Sequence, residues 1–376
     1  MLGSTNLLLR GPLVALVLAS AAFACSSSDD RDDDGAVPPP ASTVGTGGGS
    51  TSGGPPPACY SDSRVGCQDL SWAEIEATID GAYALLGSDT YQGYTKAEAK
   101  TTARTVYDNG TLPGARLSLF RARTTDGKPS RVVASVLDAN GRPRIGLAAS
   151  AFDVEGAAPS RVLRLGDATS DDVRLRISTV IDDSGSIMDC DAQFIADGVS
   201  HLFEATPPVY EAELIKFATD VKTVHPFTSD RAALAKAARG TCSDRGSTSL
   251  WDAVHLGLTD LQARTTGDEV PLLVVVSDGF DNDSGRSFAE VAETAASKRV
   301  ATLVAGIGLA DPFALGNLAR VTGGAFVYVP SGARALELFE GLTSVLVDSY
   351  VVDFTPGARS ITVHLPDGQT LSADVP

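Results

Sequence analysis

The sequence predicts an α/β chain: a doubly wound, mainly parallel sheet, accompanied by a smaller β-sandwich-like domain and a short helical N-terminal segment. Three observations carry this expectation. Continuous apolar runs at 272–277 (LLVVVS) and 301–307 (ATLVAGI) read as strands buried on both faces, and they alternate with stretches of helical period. Between 115 and 164 the period falls to two, and turn dipeptides at Asp126-Gly127, Asn140-Gly141 and Glu155-Gly156 break it into hairpins. Further upstream, Ser71-x-x-Glu74 and Thr95-x-x-Glu98 have the spacing of capping boxes, each followed by an apolar helical stripe.

In order, residues 1–24 read as a targeting segment. Arg10 precedes an apolar run over 13–24, too short for a bilayer at ~20 residues but suited to a signal-peptide core. Ala22-Phe23-Ala24-Cys25 resembles a bacterial lipoprotein cleavage site, with Ala22 and Phe23 standing where that pattern has a leucine and a small residue. The resemblance implies a lipidated Cys25 and a membrane-anchored protein of the cell envelope. Ser26 differs from the Asp that retains such proteins at the inner membrane, which favours the outer one. Cleavage by an ordinary signal peptidase, with Cys25 incidental, is the alternative; either way the product is exported.

Residues 25–58 are almost entirely Ser, Asp, Gly, Pro and Thr, a composition that cannot build a core and predicts a disordered tether with a reach on the order of 30 Å. Residues 59–110 open with Cys59 and Cys67, which enclose a polar loop and make natural disulfide partners in an oxidising compartment, and continue into two helices expected to pair and dock on the next segment of the chain. Residues 111–172 hold the period-two segments. This stretch resembles the immunoglobulin-like sandwich found before some bacterial adhesion modules, which implies a spacer or a second interaction surface.

Residues 173–349 alternate strand and helix throughout. Helices are expected at 190–204, 231–239, 249–261, 288–298, from Asp311-Pro312 onward, and at 333–347; strands are expected at 211–217, 221–227, 272–277, 301–307 and 323–329. Residues 350–376 read as further strands, placed in the sandwich begun upstream, so that the α/β body is an insertion. The chain of 376 residues carries 47 acidic and 30 basic side chains, a net −17, which disfavours nucleic acid as a partner.

The chemistry concentrates where 174–186 (RLRISTVIDDSGS) ends. Asp182-x-Ser184-x-Ser186 puts one carboxylate and two hydroxyls into a single turn, and Gly185 lets the backbone bend close to whatever is held. Hard divalent cations take such oxygen ligands and keep several waters. Thr248, in a turn that opens a helix, and Asp278, at the end of the 272–278 run, can supply more. Together, Asp182, Ser184, Ser186, Thr248 and Asp278 resemble the metal-ion-dependent adhesion site of the von Willebrand factor A-type (vWA) domain. The resemblance implies Mg²⁺, with Mn²⁺ or Ca²⁺ as alternatives, held directly by Ser184 and Ser186 and mainly through water by Asp182 and Asp278. One position would stay open for an Asp or Glu carboxylate of a protein partner. Asp183, Asp252 and Asp281 lie close in sequence and are candidates for an outer shell. If the two turns share a cation, the flanking Cys190 and Cys242 must be near each other, predicting a Cys190–Cys242 disulfide; two inert buried thiols are the alternative.

An enzyme fits less well. Taking Ser184 as a serine-protease nucleophile requires a histidine upstream, yet His201, His225, His255 and His364 all follow it. A phosphoaspartyl hydrolase needs a second Asp where Ser184 stands. The expectation is therefore a non-enzymatic, exported, lipid-anchored binding module, with a structural subunit of an envelope assembly as the alternative and a hydrolase a distant third.

Overall fold

The alternating apolar runs become a sheet whose strand order explains where the site forms. The computed structural model describes residues 69–375 apart from 92–93, 121–122, 126–127, 188, 206–209, 241–245, 267–268, 279–280 and 299. The leader, the tether, Cys25, the Cys59–Cys67 and Cys190–Cys242 pairings and the Asp126-Gly127 turn lie outside the described residues.

Helices α1 (Trp72–Leu86) and α2 (Lys96–Asn109) flank the short pair β1 (Thr90–Tyr91) and β2 (Tyr94–Thr95). Both start with complete capping boxes, in which the Ser71 and Thr95 hydroxyls accept from Glu74 N and Glu98 N while each glutamate accepts from the cap backbone. Next come β3 (Arg116–Leu119), β4 (Arg123–Thr125), β5 (Lys128–Leu137), β6 (Phe152–Glu155) and β7 (Pro159–Arg164). The α/β body runs β8 (Leu175–Asp182), α3 (Asp189–Ala205), β9 (Tyr210–Phe217), β10 (Val221–Thr228), α4 (Arg231–Gly240) and α5 (Leu250–Arg264). It continues with β11 (Val270–Ser277), α6 (Phe288–Lys298), β12 (Ala301–Ile307), α7 (Pro312–Val321), β13 (Ala325–Val329) and α8 (Ala335–Val347). Last are β14 (Tyr350–Phe354), β15 (Ser360–His364) and β16 (Thr370–Asp374).

The six strands of the body lie in the order β10-β9-β8-β11-β12-β13. All pairs are parallel except β10 with β9, because residues 218–220 alone separate those two strands and a connection that short can only make a hairpin. Strands β8, β11, β12 and β13 are buried at every position, as expected of a sheet covered on both faces. On one face Ile177, Ile181, Val274 and Leu303 pack against Ile195, Val199 and Phe203 of α3 and Leu338 and Phe339 of α8. On the other, Val180, Ile215, Leu273 and Val275 pack against Trp251, Val254 and Leu258 of α5 and Leu315 of α7.

The second face also receives the N-terminal helices, whose Ile75, Ile79 and Ala103 join the same cluster. The helical pair therefore docks on the α/β body rather than on the segment that comes directly after it. Tyr94 stacks on Phe313 with ring centroids 3.6 Å apart, and its hydroxyl donates to Asp311 Oδ2 at 2.8 Å. Asp311 is buried and also caps α7 by accepting from Phe313 N and Ala314 N at 3.0 and 3.1 Å. Asp311→Ala removes the cap and orphans the tyrosine hydroxyl together, so it is expected to cost about 2 kcal/mol in denaturant unfolding; a loss below a few tenths would contradict this joint role.

The sandwich pairs a sheet of order β3-β5-β14-β7, with β4 also on β5, against a sheet of order β16-β15-β6. Leu117, Val132, Val136, Phe152, Val352, Ile361 and Val363 fill the space between them. Strand β14 comes after the α/β body in sequence yet lies between two strands that precede it, matching Val351 to Val133 on one side and to Leu163 on the other. Where the chain leaves and rejoins the sandwich, Leu165 N donates to Ser349 O at 2.7 Å and Arg164 Nε to Asp348 Oδ1 at 2.7 Å. No described helix is long and apolar enough to cross a membrane.

One core residue is out of character. Glu213 of β9 faces Ser178 of β8 in register and is 1 % exposed. Its Oε1 has no hydrogen-bond partner among the described residues. Burial pushes its carboxyl up to about 8, against the Ser178 hydroxyl and with the help of Asp260.

Candidate metal site

Counted within the body alone, the strand order is 3-2-1-4-5-6, so the crossovers leave β8 and β11 in opposite directions and a crevice opens at their carboxyl ends. Asp182 is the last residue of β8, and Asp278 comes directly after the last residue of β11. Three of the five residues the motif singles out are joined by direct hydrogen bonds. The Ser184 and Ser186 hydroxyls lie 3.0 Å apart, and Ser186 Oγ donates to Asp278 Oδ1 at 2.8 Å.

Asp182 braces this cluster from below. Its Oδ1 accepts from Ser184 N at 3.0 Å, which closes the turn, and its Oδ2 accepts from the Ser277 hydroxyl at 2.7 Å, which ties β8 to β11. Burial raises its carboxyl above the ordinary range, opposed by the hydrogen bonds from Ser184 and Ser277. Asp182, Ser184 and Thr248 are buried, whereas Gly185 and Ser186 are exposed, so the donors form a sunken floor with an open rim.

Thr248 arrives on the segment that opens α5. Gly185 N donates to Gly246 O at 3.0 Å, laying this segment against the motif turn, and Ser249 N donates to Ala218 O at 2.9 Å. Asn282 clamps Thr248 from the other side: its Oδ1 accepts from Thr248 N at 2.8 Å, and its own N donates to Thr248 O at 3.0 Å. Among the described residues no three His, Cys, Asp or Glu side chains gather as a metal cluster. The site is instead two carboxylates with hydroxyls, the oxygen chemistry that hard cations prefer.

The three outer acids are engaged elsewhere. Asp183 turns beneath the motif, 2 % exposed, and pairs with Lys216 Nζ at 3.8 Å. Asp252 accepts from Gly285 N at 2.8 Å and Arg286 Nη1 at 2.9 Å, fastening the loop after β11 to α5. Asp281 accepts from Trp251 N at 3.3 Å and from the Ser284 hydroxyl, which places it at the start of α5; burial raises its carboxyl. These acids hold the loops that hold the donors. Sequence reasoning did not single out Ser277, Asn282 or Lys216. Ser277 alone had a signal, since it directly precedes Asp278 at a strand end.

No curated protein matches this chain. Among solved structures it is similar to the conserved hypothetical protein BatB from Bacteroides thetaiotaomicron, at 17% identity over 46% of this chain and 98% of that one, with a TM-score of 0.38. It is also similar to proximal thread matrix protein 1 from the mussel byssus with a zinc-occupied MIDAS motif, at 16% identity and a TM-score of 0.44, the match covering 53% of this chain and 50% of the mussel one. A third is the von Willebrand factor type A protein from Catenulispora acidiphila, at 12% identity over 70% of this chain and 73% of that one, with a TM-score of 0.41. Residues 177–341 match the von Willebrand factor type A domain family, and the α/β body of this chain is such a domain.

Proposed function

We infer that the chain is an exported, lipid-anchored binding module that captures a protein partner through a divalent cation. The observation that carries this is the Ser184–Ser186–Asp278 cluster, in which two segments distant in sequence converge at the sheet edge. A cation such as Mg²⁺ bonded to oxygens at about 2.1 Å sets neighbouring ligands about 3.0 Å apart in an octahedron, which is the separation of the Ser184 and Ser186 hydroxyls. The donor set therefore fits Mg²⁺, with Mn²⁺ as a close substitute. Ser184, Ser186 and Thr248 would hold the ion by their hydroxyls and Asp182 and Asp278 mainly through water. A bound cation would supply an electrophilic position for an Asp or Glu carboxylate, and the exposed rim at Gly185 and Ser186 leaves that position accessible.

The same arrangement supports binding rather than catalysis. Its hydroxyls are shared with each other and with Asp278, and His364 pairs with Asp153 in the sandwich. Anchoring at the outer membrane rests on Cys25 and Ser26. Calorimetric titration with Mg²⁺ or Mn²⁺ is expected to show one site in the native chain and none in the Asp182→Ala, Ser184→Ala double variant. Pull-down from envelope extract is expected to retain a partner in Mg²⁺ and to release it on chelation. A partner held equally well in chelator would overturn the proposal.

A further inference from the structure

Lys216 is a positively charged residue inside the sheet, 5 % exposed, on the strand beside the motif. It lies opposite Ile181 in the β8–β9 register, one residue before the Asp182 carboxylate. Its ammonium is 3.8 Å from Asp183 Oδ2, and Asp183 N donates to Phe217 O at 2.8 Å, so the acid is held by its backbone and its side chain together. Apart from Asp182, Asp183 and Lys216, the residues lining the small cavity at this pair are apolar: Ile181, Ala192, Ile195, Ala196 and Ala238. Charges in such surroundings are weakly screened and act over several ångströms. Asp183 sits in the chain between Asp182 and Ser184, so its charge, if uncompensated, would be felt at the cation position.

We propose that Lys216 is the charge counterweight of the site: by neutralising Asp183 it keeps the field at the cation low enough for the ion to take up a partner's carboxylate. Lys216 is a positioning and tuning residue, since its ion pair is with Asp183, which is not one of the five donors. The inference rests on the proposed function and assigns a specificity role within it. Its signature is one of sign. Loss of Lys216 adds net negative charge and tightens the cation; loss of the Asp183 charge leaves a buried cation behind and weakens it. A merely structural role would weaken both.

The test uses the full chain and Mn²⁺ alone, titrated calorimetrically, with thermal denaturation to establish that each variant is folded. Lys216→Met is expected to bind Mn²⁺ roughly tenfold tighter than the native chain and Asp183→Asn roughly tenfold weaker. The double variant Lys216→Met, Asp183→Asn is expected to return to within about threefold of native affinity, as a neutral pair replaces a charged one. Lys216→Arg keeps the charge and is expected to match the native chain. Weakening in both single variants, or an unchanged Lys216→Met, would overturn the counterweight role while leaving the cation site standing. A native chain that binds no Mn²⁺ would overturn the proposed function itself, and this inference with it.

Discussion

Glu213→Gln is expected to stabilise the chain by on the order of 5 kcal/mol at pH 9 while leaving it unchanged at pH 4. Burial holds the Glu213 carboxyl protonated up to about pH 8, whereas in the unfolded chain it ionises at its ordinary 4.5. Below 4.5 both states carry the proton and the substitution is neutral. Between 4.5 and 8 only the unfolded state releases it, so stability falls with rising pH by about 1.4 kcal/mol per unit. Above 8 the folded state must hold a buried carboxylate, and the loss levels off. Glutamine keeps the shape and does not titrate, so the gap between variant and native chain isolates this one group. Urea denaturation at pH 4, 6 and 9 measures it, and a gap that does not widen across that range would rule the mechanism out.

The second large effect lies where α3 crosses α8. A Cβ built on Gly198 would stand 2.1 Å from Cδ2 of Phe339, a ring that is fully buried. The helices pack this closely only because one residue has no side chain and the other fills the space. Phe339→Ala is expected to cost 3–5 kcal/mol through lost burial and the cavity left behind, about the range for such core truncations. Gly198→Ala alone is expected to cost about 1–3 kcal/mol by forcing the ring aside. Together they should cost less than the two losses added, because the new methyl occupies part of the space the ring vacates. Strict additivity in thermal or urea unfolding would show that the two positions do not share this contact.

Much of this was legible in the sequence because the governing signals are local. The runs of β8, β11 and β12 are apolar at nearly every position, and only a strand covered on both faces is built that way. The capping boxes at Ser71 and Thr95 and the Asp311-Pro312 start of α7 are written within four residues. The site was legible because each of its parts ends a strand or opens a helix. What escaped was set by packing between distant segments. Glu211-Ala-Glu213-Leu-Ile-Lys216 reads as a strand with one solvated side, yet β8 and α5 cover Glu213 and α3 and α4 enclose Lys216. The apolar stripe of α1 announces that a partner exists without naming it, so the α/β body rather than the sandwich received it. Asp252 and Asp281 were placed near the cation by proximity in sequence, but their carboxylates face backbone donors of the loop after β11 and of α5, which satisfy them first.

The hydrogen bond from Leu165 to Ser349 brings the two ends of a segment of almost two hundred residues side by side. A segment whose ends touch can be cut out and the flanking strands rejoined by a short linker, since Leu163 and Val351 are already neighbours in one sheet. The adhesion body is in this sense a cassette: exchanging it would alter what is grasped without rebuilding the handle. The grasping edge lies beyond the full eight residues of β8, about 25 Å of strand, so cargo is presented at the far end from the hinge.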